Sequence, residues 1–460
     1  MTASMPSIRI IALTLLLYAV ALTASDVSVE LIKATKEGDK DGVTRLLEGG
    51  ADPNIPTPTG ATALHWAVHL DYIGIAERLI RAGADINAVN RYDVSPILPA
   101  CINGNATMIE LLLEAGANVS RTTPEGATPL MFAARTGIPR AVSILLSHGA
   151  EPNTRESTRG QTALMWAAAE GHQQAVQTLI RQGAEIISRS DRGFTAFLFA
   201  ARQGHLEVIQ TLLASGADVN QFLASRKSGQ NPSHDSLGPS ALGLAVANAH
   251  YDLASALLDA GADPNFTWKG HTVLHTITWV RKPGAGSNDP APPGSGTMPS
   301  LEFVRKLVLH GANLNARMTT KRAGARTVLN MRGATPFLLA ARTADADLMR
   351  LLAELGADPL IPNEDNTTPL IVAAGVGVQS PGEDPGSEKD VLAAVKVTLE
   401  LGNDINAVDD RNETAMHGAA YKHVASLVPF LVENGARMEV WNQKNKKGWT
   451  PLRIATGVHR

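Results

Sequence analysis

A pattern close to T-x-L-x-x-A-A…G-A-D-x-N recurs from one end of this 460-residue chain to the other. Its clearest copies begin at Thr62, Ser95, Thr128, Thr162 and Thr195, at steps of 33, 33, 34 and 33 residues. A fixed period of that length marks stacked units, each of which buries its apolar face only against its neighbours. Length alone would suggest about three globular domains; the repeat overrides that reading. It also bears on function, because a stacked array offers a long surface for holding other molecules and has no inherent reaction centre.

Each unit reads as two helices and a turn. In the copy from Thr128 to Asn153, Thr128 is an N-cap type and Pro129 takes the first helical position, where a missing N–H does no harm. Leu130, Ala133 and Ala134 line one face at helical spacing, and Gly137 closes this first helix. A second helix carries Val142, Leu145 and Leu146, and Gly149 stands where the chain must turn left-handed. Gly-Ala pairs close second helices at ten positions from Gly50 to Gly435, with Gly402-Asn403 as a variant. The expected architecture over residues 27–460 is therefore an all-α solenoid of about 11 helix-turn-helix units. The first unit, from about Val27, is degenerate, and a terminal half-repeat begins at Thr450. Four loop insertions break the period, near 222–237, 281–299, 317–331 and 376–389. The 281–299 stretch is Pro/Gly-rich and is expected to be a flexible linker.

The N-terminus lies outside this grammar. Ile10 to Leu22 is an apolar run interrupted by one Thr, followed by small residues. That is the layout of a secretory signal peptide over residues 1–25, with an uncleaved anchor as the other reading. Export to a periplasm or to the exterior follows as an expectation. Cys101 is the only cysteine, so no intramolecular disulfide can form and stability must come from stacking. The net charge of −3 is too near neutral to point to nucleic acid.

Thr62-Ala63-Leu64-His65-Trp66-Ala67, Thr128-Pro129-Leu130, Thr450-Pro451-Leu452 and Gly83-Ala84-Asp85-Ile86-Asn87 together resemble the ankyrin repeat family. With a signal peptide in front, the chain is similar to exported bacterial ankyrin-repeat proteins. The resemblance implies that a signature His ties neighbouring repeats by hydrogen bonds. That slot holds His65, His275 and His417, but Met131, Met165, Leu198 and Leu338 elsewhere, where apolar packing is expected to take over. It further implies that turns and first helices form a concave face that grips protein partners.

No H-E-x-x-H, G-x-S-x-G or phosphate-loop motif occurs, so no catalytic residue is assigned. His65 and His69 have a metal-compatible spacing without an identifiable third ligand, so neither metal nor cofactor is expected. Candidate partner-binding residues are Arg91, Tyr92, Arg135, Arg159, Arg192, Phe194 and Arg202, in inter-unit turns or near the ends of first helices. Arg and Tyr are common anchors of such contacts. Trp66, Phe132, Trp166 and Phe199 share one slot of the repeat and form either an aromatic binding ridge or packing between first helices. The expected function is that of a monomeric protein-interaction scaffold or regulator binding an unidentified protein. An alternative is a module that docks on an anionic envelope or membrane surface through the basic loop 317–332. An enzyme with an unrecognised site is a remote third.

Overall fold

The Thr that opens each unit becomes a helix start for a local reason: its hydroxyl takes up a backbone N–H that the first turn leaves unpaired. Thr128, Thr162, Thr195 and Thr335 each accept from the N–H three residues on, at 3.2–3.4 Å. In the computed structural model, which describes residues 24–223, 237–282, 291–320, 329–378 and 386–457, such starts recur along the chain. The described residues form 24 helices, α1 (Ala24–Glu37) to α24 (Pro451–Ala455), and no strand beyond isolated bridges. Twenty-two of these helices pair into eleven hairpins, α23 (Met438–Trp441) is a single turn, and α24 ends the series. The all-α repeat solenoid expected from the period is the fold observed.

The chain divides into two compact units, one ending at Ser190 and one beginning at Asp191. In the first unit, α3 (Ala63–His69), α7 (Pro129–Thr136) and α9 (Ala163–Ala169) are first helices of their repeats. Their Ala67, Ala133, Ala134, Ala167 and Ala168 are buried. Small side chains let neighbouring first helices approach closely, while Leu79, Leu112, Leu145 and Leu179 of the second helices fill the space behind them. The second unit repeats the construction with Ala200, Ala201, Ala340 and Ala341 inside.

Two side-chain ladders fasten successive repeats within each unit. The Asn of the G-A-D-x-N turn uses both arms of its amide. Asn87 Nδ2 donates to the Gly116 carbonyl at 3.0 Å, and its Oδ1 accepts from the Asn118 N–H at 2.8 Å. Asn54 and Asn153 do the same in the first unit, and Asn220, Asn265 and Asn406 in the second. The signature histidines form the other ladder. The Thr62 N–H donates to His65 Nδ1 at 3.1 Å, which leaves the proton on Nε2 to reach the Val94 carbonyl of the next repeat at 3.0 Å. His275 and His417 reach Ala334 and Gln443 in the same way.

Where the signature His is missing, apolar packing does not act alone, contrary to the sequence expectation. At Met131 the sulfur takes the position of the ring nitrogen, 3.5 Å from the Thr128 N–H. A different histidine, at the start of the second helix, then supplies the cross-repeat bond. His172 Nε2 lies 2.8 Å from the Arg135 carbonyl, and His250 Nε2 lies 3.1 Å from that of Arg202.

The insertions are better anchored than their composition suggests. Residues 224–236, 283–290, 321–328 and 379–385, like 1–23, lie outside the described residues, so the signal-peptide reading and the centres of all four insertions do too. Residues 291–299, read from sequence as part of a flexible linker, dock on the turn between α13 (Ala241–Ala247) and α14 (Tyr251–Asp259). Ser295 Oγ lies 2.8 Å from His250 Nδ1, and the Thr297 and Met298 N–H groups donate to Asp252. Gly296, at φ +90, lies so close to this turn that a Cβ would stand 1.7 Å from Asp252 Oδ2. The described ends of the 317–331 insertion bury Met318, Leu329 and Met331 against Leu338, Leu339 and Val372.

Candidate functional site

In four repeats the sequence places an aromatic residue four positions after the opening Thr, and in two of these an arginine stands seven positions after it. Residues three apart share a helix face. The structure turns that spacing into contact. On α7, the Arg135 guanidinium carbon lies 5.4 Å from the Phe132 ring centroid, and it leans equally, at 5.4 Å, over Trp166 of α9. Phe132 and Trp166 meet edge to face at 5.7 Å. Trp166 belongs to a repeat whose own seventh position is Ala169, which leaves its ring open to the neighbouring arginine.

The second unit builds the same seat by itself. On α11 (Ala196–Gln203), Arg202 lies 5.0 Å from the Phe194 ring and 5.4 Å from the Phe199 ring, and the two rings stack at 4.8 Å. Arg202 is half-buried, and burial lowers its affinity for its proton below that of an ordinary guanidinium. Among the described residues no carboxylate pairs with Arg135 or Arg202. A third cation, Lys36, sits 4.1 Å from the Trp66 ring, which lies nearly perpendicular to the His69 ring at 6.1 Å.

These contacts join two groups of candidates that the sequence presents separately. Arg135 with Phe132 and Trp166 forms one cluster, and Arg202 with Phe194 and Phe199 forms another. The other candidates are not drawn in. Arg91, Tyr92, Arg159 and Arg192 are exposed, Tyr92 at 70%, and among the described residues their side chains hold no ion pair or ring contact. Arg159 is placed through its backbone: its N–H donates at 2.9 Å to the carboxylate of Glu156, which also takes up the N–H groups of Thr158 and Gln161. Nor do the three slot aromatics of the first unit form a continuous ridge. Pro99 interrupts the row between Trp66 and Phe132, and only Phe132 and Trp166 touch. In the second unit Phe199 is 6% exposed and is chiefly a packing residue. Lys36 was missed because it belongs to the degenerate first repeat, where no register could be assigned to it.

Elsewhere the site readings shift. His65 is committed to Thr62 and Val94, which removes it from any metal pair with His69. No group of three or more His, Cys, Asp or Glu side chains that could hold a metal occurs among the described residues. In the basic loop, Arg317 donates to the carbonyls of Gly333 and Pro362, and Arg332 to that of Thr319, so both cations at its base are used internally. Lys321, Arg322 and Arg326 lie outside the described residues. An apolar groove of about 640 Å³ near the last repeat is walled by Met416, Val424, Val428, Trp441, Pro451 and Leu452, and no motif in the sequence announces it. No described helix is long and apolar enough to cross a membrane.

Comparison with known proteins places the repeats. The model for ankyrin repeats matches three times, over residues 30–90, 72–156 and 152–222. The human Ankyrin repeat and SOCS box protein 16 is 30% identical over 243 residues, 46% of this chain and 46% of that protein. The zebrafish (Danio rerio) Neurogenic locus notch homolog protein 1 is 30% identical over 175 residues, 34% of this chain and 7% of the other. The Putative ankyrin repeat protein YahD of Escherichia coli is 30% identical over 88 residues, 19% of this chain and 44% of that protein. The chain thus spans less than half the length of each of these relatives. Ankyrin repeats are in general an architecture for protein–protein interaction. With the period, the Asn and His ladders and the matched repeats in agreement, residues 30–222 are ankyrin repeats.

Proposed function

We propose that this chain is a protein-binding scaffold or regulator that holds its partner on the face formed by first helices and inter-repeat turns. The observation that supports it best is the pair of aromatic-seated arginines, Arg135 and Arg202. Each projects from the end of a first helix with no carboxylate partner of its own among the described residues. Arginines and large aromatics dominate the energetics of protein interfaces. The chain works as a monomer, without cofactor, after export directed by residues 1–25, to a periplasm or to the exterior. Mass measurement of the mature protein tests that export: loss of about the first 25 residues is expected, and an intact N-terminus in a membrane fraction points to the anchored form.

Affinity capture from the compartment the protein occupies, with mass-spectrometric identification, tests the face. Replacing Arg135, Arg159, Arg192 and Phe194 together by Ala is expected to reduce recovery of the captured partner by about tenfold or more without loss of helicity. Unchanged recovery rejects this face. A surface-docking role for loop 317–332 is the weaker reading, because Arg317 and Arg332 already spend donors on Gly333, Pro362 and Thr319. Its mark is salt-sensitive sedimentation with anionic vesicles, lost when that loop is deleted.

A further inference from the structure

We propose that the seats at Arg135 and Arg202 each read a carboxylate side chain in an acidic stretch of the partner polypeptide. This rests on the protein-binding reading above and adds the chemistry of what is bound.

Donor geometry comes first. A guanidinium offers five N–H donors in a planar fork that fits a carboxylate in two parallel bonds. Aromatic rings within cation–π range of a guanidinium hold it near them and leave its N–H donors for binding. Arg135 is held this way by Phe132 and Trp166, and Arg202 by Phe194 and Phe199. Long side chains normally lose much freedom on binding, and a fork already held in place loses less.

The charge distribution is the second, independent observation. Carboxylates are plentiful in this chain, 44 against 41 Lys and Arg. Four of the seven arginines on second helices find them: Arg81 pairs with Glu77, Arg140 with Glu110, Arg305 with Glu354 and Arg350 with Glu400. The two seated arginines do not. For Arg202 the lack is costly, because a half-buried cation has given up part of its hydration without an anion in return. A carboxylate from outside supplies what the fold withholds.

The same distribution separates a polypeptide from a polyanion. Each seat carries a single seated guanidinium, and the repeats around Arg135 expose Glu125, Glu151 and Glu170. A continuous phosphate backbone would meet these acids, whereas a peptide with spaced carboxylates can meet the arginine and present neutral residues to the rest.

The test uses the full chain and two fluorescein-labelled dodecapeptides, one alternating Glu with Gly and one alternating Gln with Gly, read by fluorescence anisotropy. The Glu peptide is expected to bind about tenfold or more tightly than the Gln peptide. Arg135→Lys and Arg202→Lys, which keep the charge and lose the fork, should each weaken the Glu peptide by about fivefold to tenfold. Arg81→Lys, on a paired second-helix arginine, should leave it unchanged, and circular dichroism checks that each variant is folded. Equal binding of the two peptides overturns the proposal, as does wild-type binding by both lysine variants. Tighter binding of an oligonucleotide of similar length, lost in the same variants, overturns the choice of polypeptide. If the fourfold alanine variant loses its captured partner while the Glu peptide is ignored, the binding face stands and the carboxylate assignment falls.

Discussion

The third helical position after the opening Thr shows how one slot can be filled by two kinds of chemistry. His65, His275 and His417 bind both their own Thr and the next repeat, whereas Met131 serves only the first task. The choice has a pH signature. Burial is the main cause that pushes His275 down from 6.5 to about 4. Between those values the unfolded chain binds a proton that the folded chain does not. Stability from this group is therefore full above about pH 6.5 and is lost as pH falls toward 4, with a slope of about 1.4 kcal/mol per pH unit inside the window. His275→Met should lower stability at pH 7 by about 1–3 kcal/mol, because the Ala334 carbonyl loses its donor, and should remove one proton's worth of slope between pH 6.5 and 4. Urea unfolding across that range measures both. An unaltered slope would mean that this ring is not the titrating group.

Elements that break the period are tied back by specific polar contacts. The 281–299 insertion leaves α15 (Val273–Arg281) and re-enters at α16 (Ser300–Leu309). Arg281 spans its base: it bonds Ser300 and forms a two-armed pair with Asp345, at 2.8 and 3.2 Å. Asp345 also caps α18 (Ala346–Glu354) through the Leu348 N–H. The pair is nearly sealed, with side chains 15% and 2% exposed. Removing one member strands a buried charge, so Asp345→Ala is expected to cost about 3–5 kcal/mol. Chemical denaturation checks the magnitude, and a cost below about 1 kcal/mol would show the base of the insertion to be held by other contacts.

At the scale of the molecule, stability is local. Each repeat packs on its neighbours, and no long-range core has to form before a stack holds together. The unit ending at Ser190 contains its own Asn ladder, its own His65 bond and its own seat at Arg135. A fragment of residues 24–190 should therefore fold alone, with helical circular dichroism and a cooperative urea transition. A disordered fragment would show that its five helix pairs lean on the rest of the chain.

Much of this was legible before any coordinates. The period, the Thr caps and the Gly at the close of each second helix identify the repeats, because each depends on backbone geometry that only certain residues satisfy. The family and the number of units follow from them. The Asn ladder was equally visible as the last letter of G-A-D-x-N, but its role was not, since the two groups it joins lie about 30 residues on. The i, i+3 spacing of Phe132 with Arg135 and of Phe199 with Arg202 was also on the page, yet spacing shows which side chains share a face and not which way they lean. Only the tertiary structure decided that Arg135 crosses to Trp166, that Arg91 and Tyr92 stand apart, and that residues 291–299 fold back on Asp252. Local backbone preference is written residue by residue. Contact between side chains depends on how one repeat is set against the next, and that is fixed only once the stack has formed.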